Sequence, residues 1–494
     1  MKKRFRFTKL LAALLATCSL LLLLAACQTE GTGTNTGTAG GEQNGAVTTE
    51  SNLDPNGFLK DALPALDYNR GFKILGNDNR KHQFWNSGED DTDTIGKVIY
   101  ERNATVEERL GVELEWDFQP GEGDNISTFI GRIETNSDSG DPYDGVIAYN
   151  LVPQMVAVRG YAANLYDTEY IDLSAPWWPS VYLREMVVND QLYCLVESGS
   201  YGLLDHMMAM YFDNEMLEKR NMESPYTLVA SNEWTIENLS AMIKETYEDA
   251  DADSKVGDGD IFGCVTATKS KMDCWFFGLG NQFAKVENDE VVSLLGGDHI
   301  ETFISTMVTF LDSNDVYAYD SSQFKMFMEH RAYFYCASVM LSEKLAASEE
   351  AYNYGVVPMP KMNSEQERYY THVANCHDTW CLPYNVKDLD CSSAVMECMA
   401  SEAHRQIDPM YYETYVKLRY APDERLAEMY DLIRDSVTFD FTYLFSRVYS
   451  SMPGNLVKNC YLNPAKYSWA SVYASNKSAL ESSFQQIVDT YREK

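Results

Sequence analysis

The side chains able to do chemistry fall into three groups: one closely spaced acidic run, a scatter of cysteines and histidines, and an abundance of aromatic and amide residues. From Asp249 to Asp260, carboxylates stand at the first, third and fifth places of a twelve-residue loop and Val256 at the apolar eighth, as in a calcium-binding EF-hand loop. Two places break that pattern. Ser254 stands where the sharp turn calls for glycine, and Asp260 where a longer, bidentate glutamate closes the coordination shell. A solvated acidic turn is the expectation, with no cofactor. Cys376 and Cys381 lie near His372 and His377, but four residues separate the thiols where a zinc knuckle has two, and 380–383 reads as a strand, so they are read as core thiols. No Gly-x-Ser-x-Gly elbow, His-Glu-x-x-His helix or Gly-Lys-Ser/Thr phosphate loop is present, so an enzyme is not expected. What remains is 33 tyrosines and 8 tryptophans among amides and carboxylates. Flat apolar faces beside planar polar groups suit a hydroxyl-bearing ring, stacking on its C–H side and bonding its hydroxyls.

Such side chains need a scaffold that gathers them. Residues 72–75 read as a strand. In 95–110, Val98, Ile99, Val106 and Leu110 give a helix closed by Gly111, and 112–116 alternates as a half-buried strand does. Strand, helix and strand in that order indicate a parallel unit. A second helix is expected at 126–133 and a third strand at 144–149. Ligands gather at the carboxyl ends of strands in open α/β sheets, which puts Asn77, Asp78, Tyr149 and Asn150 on one rim. Beyond 392 the pattern is helical, at 394–403, 410–418, 426–436 and 478–491, and there is no internal repeat.

The amino-terminal segment is of another kind. Lys2, Lys3, Arg4, Arg6 and Lys9 precede a run from Leu10 to Ala26 that is apolar except for Thr17, Cys18 and Ser19, and the run ends in Leu24-Ala25-Ala26-Cys27. This resembles the lipobox of bacterial lipoprotein signals, which implies cleavage before Cys27 and a lipid on its thiol. As a membrane span, a run of about 17 residues would lie at the lower limit. Residues 28–52 are mostly Gly, Thr, Asn, Glu and Gln, too polar to offset the entropy of ordering, and read as a tether. Removal of the five basic residues of the signal takes the formal charge from -34 to about -39. So acidic a surface repels phosphate backbones and argues against a nucleic-acid partner. Of eleven cysteines, nine remain after Cys18 and Cys27, an odd number that suggests an exported protein whose thiols survive. The body of over four hundred residues exceeds one hydrophobic core and calls for two lobes.

The polar stretch Glu197-Ser198-Gly199-Ser200-Tyr201 between two strands, with Asn214 heading the helix after the second, resembles the first hinge of the family 1 extracellular solute-binding proteins of carbohydrate ABC importers. Glu233-Trp234-Thr235 is similar to that family's helix start, and the acidic turn and strand at 258–263 also match. So do Gln323-Phe324 and the strand at 330–335, Tyr354-Gly355-Val356-Val357-Pro358 and Trp380-Cys381-Leu382-Pro383. The resemblance runs in order from about residue 70 to 400. It implies an α/β, two-lobed type II periplasmic-binding-protein fold with hinge crossings near 197, 337 and 400 and a helical C-terminal part. The implied division is a signal at 1–26, a tether at 27–68, a first lobe at 69–197 and 338–400, and a second at 198–337 and 401–494.

It implies further a mono- or oligosaccharide ligand, delivery to ABC permease subunits, and a position on the outer face of the bacterial membrane through the lipid on Cys27. The candidates for stacking are Tyr149, Trp177, Tyr201, Trp275 and Trp469, and those for polar contacts are Asn77, Asp78, Asn150, Glu197, Ser198 and Asn281. Each has a plainer alternative. Trp177 and Trp178 are adjacent, so one at most faces a cleft; Trp275 stands in an apolar run; most carboxylates are solvated surface groups. Two other functions stay open: a surface glycoside hydrolase, which needs only two carboxylates at a set separation, and a sensor or adhesion lipoprotein of the same fold.

Overall fold

Strand β1 (Arg70–Asn77) pairs in parallel with β2 (Val112–Gln119), Arg70 opposite Val112 and Asn77 opposite Gln119. The connection is helix α1 (Thr94–Leu110). Asp93 caps it by accepting from the Gly96 amide, and Gly111 ends it at φ 60°, a left-handed conformation that costs a residue without Cβ nothing. Helix α2 (Ile126–Asp138) buries Phe129, Ile130 and Ile133 and leads to β3 (Gly145–Tyr149), parallel to β1 on its other side. This computed structural model describes residues 52–492 apart from 90–92, 167, 270–271, 349–351, 420–423 and 451. The lipobox, Cys27 and the tether as far as 51 lie outside the described residues.

The remaining strands, in chain order, are β4 (Met208–Asp213), β5 (Phe262–Thr266), the hairpin β6 (Ala284–Glu287) and β7 (Glu290–Ser293), and β8 (Val316–Ala318). They are followed by β9 (Ala332–Ser338), β10 (Tyr354–Val357), β11 (Thr371–His372), β12 (Asp378–Cys381) and β13 (Val437–Thr438). Two main sheets result, one in the order β12-β3-β1-β2 and one in the order β10-β4-β9-β5-β8. Every residue of β4, β5 and β10 is buried, so these strands read as unbroken runs rather than alternating ones, as strands covered on both faces do.

Two boundaries differ from the sequence expectation. β10 pairs antiparallel with β4 and so belongs to the second sheet, whereas the sequence resemblance implies that 338–400 lies in the first lobe. The chain stays in the second lobe past 337 and returns only between β11 and β12, where β12 joins β3. The tether is also shorter than 27–68. Leu59, Leu63, Leu66 and Tyr68 pack against the core, and Asp61, 1% exposed, accepts from Arg109 at 2.6 Å, Arg405 at 3.2 Å and Ser401 at 2.5 Å. Burial opposes its charge, but these donors win and hold the carboxyl at about 2. Four apolar residues at this spacing suffice to dock the segment, so the folded body starts at Leu53.

In the C-terminal part α3 (Leu389–Glu402) packs on α1 in the first lobe, while the helix Glu424–Asp435 packs on β10 in the second. Between them Ala403–Ile407 and Pro409–Arg419 are wound as π-helix. Helix α4 (Met452–Leu462) lies on Asp298–Leu311 of the second lobe, and α5 (Trp469–Thr490) runs beside it. The end of α5 reaches the first lobe's chain: the Tyr491 carbonyl accepts from Asn189 Nδ2 at 3.0 Å, and that of Thr490 from Tyr193 Oη at 3.1 Å. The segment 401–494 therefore ties both lobes, where the expectation gave it to the second alone.

Candidate functional site

A cavity of about 730 Å³ opens where the sheets, the crossings and the C-terminal helices meet. Tyr149 and Leu151 come from the rim of the first sheet, and His206, Met208, Ser338, Met340, His372, Asn375 and Cys376 from the crossings and the strand ends beside them. Thr268, Lys269, Asp273 and Phe283 form the second-lobe wall; Thr442, Tyr443, Ser446, Asn455, Lys458 and Asn459 close it from the C-terminal part.

The floor is held by a chain of amides. Asn150, fully buried, donates to Asn375 Oδ1 at 2.9 Å and accepts from Thr379 Oγ1 at 2.9 Å and Gln154 Nε2 at 3.2 Å. Asn375 in turn donates to the Tyr443 carbonyl at 3.1 Å and Ser446 Oγ at 3.2 Å, linking the first sheet to the C-terminal wall. The His372 ring stacks on Phe277 with centroids 4.6 Å apart and meets Tyr443 edge-on at 4.7 Å. Burial lowers three imidazoles, His372 to about 3 and His206 and His377 to about 4, so all are neutral at pH 7.

The ionic groups around the cavity are matched with one another. Lys458 Nζ lies 3.2 Å from Asp273 Oδ1, Lys269 Nζ lies 3.4 Å from Asp320, and behind the rim Arg80 Nε lies 2.8 Å from Glu122. The lining thus offers tyrosine and phenylalanine faces, amides, hydroxyls and paired charges.

No protein-family model matches the sequence, and no curated protein does. Solved structures do match. The extracellular solute-binding protein of Staphylococcus aureus in complex with maltose superposes with a TM-score of 0.55 at 11% identity, over 87% of this chain and 98% of that one. The sugar-binding protein MalE of Xanthomonas citri gives 0.54 at 12%, over 85% and 97%. The GacH receptor of Streptomyces glaucescens, solved unliganded and with acarbose, gives 0.50 at 12%, over 85% and 99%. The chain has the fold of the extracellular solute-binding proteins. This is the two-lobed architecture that the sequence resemblance implied.

Within this solute-binding fold, only Tyr149 of the eleven sequence candidates lines the cavity. Asn150 acts one step behind it, through Asn375. Asn77 is buried at the end of β1, donating to Glu122 at 3.1 Å, and Asp78 is exposed in the following turn. None of the eight tryptophans lines the cavity, and six of them are buried elsewhere in the protein. Trp177 and Trp178 are both buried and donate to opposite oxygens of Glu397 at 3.0 and 2.9 Å. Trp275 is fully buried, donates to Thr266 Oγ1 at 3.1 Å and packs on Phe310; Trp469 begins α5 and stacks on Tyr473.

The remaining polar candidates are also committed within the protein. Glu197 accepts from Trp380 Nε1 at 2.6 Å, Ser198 donates to the Pro176 carbonyl at 3.0 Å, and Asn281 donates to the carbonyls of Phe276 and Leu279. Tyr201 sits between His82 and Tyr411. What sequence reasoning missed is the face of α4. Asn455, Lys458, Asn459 and Leu462 recur at three, four and seven residues, the helical signal of one face, and all four line the cavity.

In the acidic turn, Asp249, Asp251 and Asp253 bring carboxylate oxygens within 4.8 Å of one another. Each also binds the local backbone, accepting from the amides of Ser254, Asp253 and Lys255 respectively. Asp260, at the closing position, accepts from Ala250 and Gly257 with its two oxygens.

Proposed function

We propose that this chain is a family 1 solute-binding protein, anchored by a lipid on Cys27 to the outer face of a bacterial membrane, which captures a saccharide and presents it to an ABC importer permease. The observation that carries the reading is the chemistry of the cavity. Its faces are Tyr149, Tyr443 and Phe283, its polar groups are amides, hydroxyls and the neutral imidazoles of His206 and His372, and its two lysines are already paired with carboxylates. An amino acid or peptide ligand calls for unpaired ions to match its ammonium and carboxylate, whereas a neutral polyol calls for aromatic faces and neutral hydrogen-bonding groups. The structural neighbours named for sugars and solved with maltose or acarbose support the same class.

The volume of about 730 Å³ falls within the usual range for small-molecule sites. Ligand contacts that need both walls favour the closed arrangement, so closure is a population shift driven by binding. A glycoside hydrolase is disfavoured by the lining itself, which contains one carboxylate, Asp273, where hydrolysis needs two. A sensor or adhesion protein of the same fold is separated from a transporter by whether genes for a permease pair adjoin this one.

Titration calorimetry with maltose, maltotriose, raffinose, xylotriose and cellotriose, against an amino-acid and dipeptide panel, tests the proposal. Calorimetry suits the cavity because no tryptophan lines it to report on binding. Heat from at least one saccharide and from no amino acid or dipeptide is expected; the reverse pattern, or no saccharide binding at all, overturns the assignment.

A further inference from the structure

We propose that one face of α4, together with Asp273, is the element that reads the ligand's hydroxyls, with Asn455, Lys458 and Asn459 as its contacts. This rests on the saccharide reading of the cavity. Asn455 and Asn459 are exposed, line the cleft, and their side chains make no hydrogen bond to any described residue. They flank Lys458, which is only 14% exposed along its side chain and lies 3.2 Å from Asp273 Oδ1, itself 13% exposed.

An ion pair sheltered in a wall contributes little to folding, because its desolvation offsets its attraction. Burial in fact raises the Asp273 carboxyl in spite of the lysine beside it. The pair is well suited to binding instead. An ammonium has three donors and an ionised carboxylate four acceptor sites, so one mutual contact leaves both with capacity to spare. Side by side, a donor and an acceptor match adjacent hydroxyls of a sugar ring, each of which can donate or accept, while the pair's zero net charge selects no charged ligand. The amides on either side extend the same donor–acceptor alternation along the helix. Phe283 and Tyr443, lining the same cavity, supply the apolar surface against which such a ring lies.

The test compares the wild-type protein with Asn455→Ala, Asn459→Ala and the double variant Asp273→Asn/Lys458→Met, using whichever of maltotriose, raffinose, xylotriose and cellotriose the wild type binds best. The double variant removes both charges together and leaves no orphaned ion. The double change should weaken binding about ten- to a hundredfold, and each asparagine change several-fold, with thermal midpoints of the asparagine variants unchanged. Wild-type Kd in all three variants, with the wild type binding normally, overturns this inference and leaves the saccharide reading standing. Absence of binding by the wild type to every saccharide overturns both. If the double variant fails to fold, the two exposed asparagines decide: undiminished affinity in both overturns the assignment of the helix face.

Discussion

Asp378 stands directly opposite Tyr149 in the antiparallel pairing of β12 with β3, so the two side chains share one face of the sheet at the rim of the cleft. Tyr149 reaches the cavity, whereas Asp378 is 4% exposed and is turned inward, where Arg80 and the Asn77 side chain act on its carboxyl. Burial pushes its carboxyl up to about 7, against the lowering pull of Arg80.

The sign of the stability effect follows. Unfolded, the group loses its proton near 3.8; folded, it keeps it until about 7. Between those values the native state binds more protons, so this group's contribution to stability falls as pH rises and stays at its lowest above 7. Asp378→Asn should therefore be more stable than wild type at pH 8, by on the order of 2–4 kcal/mol, with the gap closing towards pH 4. His206 and His377 run the other way, but both proteins contain them, and the difference isolates Asp378. Urea unfolding from pH 4 to pH 8 measures it; a constant difference across the range would refute the assignment.

The cavity's lining contains tyrosine and phenylalanine rings and no tryptophan, so the proposed saccharide reading places stacking on tyrosine. Tyr149→Ala should weaken saccharide binding by about tenfold, and Tyr149→Phe by less, since the ring face survives. Trp275→Phe should leave Kd unchanged and lower stability by about 1–3 kcal/mol, because the ring it replaces lies wholly within the second lobe's core. Calorimetry and thermal unfolding of the same samples separate the two effects. A loss of affinity in Trp275→Phe would return that residue to the list of contacts.

Much of the fold is legible in the sequence. The strand, helix and strand from β1 to β2 are announced by periodicity and by the glycine stop at Gly111, and the rim residue Tyr149 follows from the rule that ligands gather at strand ends. The tryptophans mislead for a physical reason. Large rings bury well, and an indole N–H needs only one acceptor, so Trp177, Trp178, Trp275 and Trp380 each find theirs inside the protein. The site's second wall is hard to foresee because it depends on a long-range meeting. Asp273 and Lys458 are far apart in sequence, and only the packing of α4 against the second lobe joins them. The membership of β10 is likewise invisible locally, since a buried run of four residues carries no mark of which sheet it enters.

Glu397 accepts from two buried indoles and from the Asp172 amide, so it organises the first lobe around Trp177 and Trp178. Its carboxyl is raised to about 7 by burial, opposed by those donors. Glu397→Ala leaves two buried N–H groups without an acceptor and should cost about 2–5 kcal/mol in denaturant unfolding. Glu397→Gln keeps one acceptor oxygen but turns an NH₂ towards the other indole, and should cost about 1–3 kcal/mol. Equal stability of all three proteins would mean that the indoles are satisfied in some other way.

The anchor makes a separate prediction. An apolar run of about 17 residues is marginal as a span, whereas two acyl chains on Cys27, as proposed, would give stable anchoring. The formal charge of about -39 left once the signal's basic residues are gone disfavours contact with anionic lipid, so under the proposed reading retention at the membrane depends on the acyl groups. Cys27→Ser, expressed in a bacterium with a lipoprotein-processing pathway, should lose labelling by an alkynyl palmitate analogue. It should also no longer appear as the processed, detergent-extractable membrane form. The wild type should carry the label and begin at Cys27 by mass spectrometry. A Cys27→Ser protein of wild-type size that remains in the membrane fraction would instead identify residues 10–26 as a spanning helix, and the thiol as incidental.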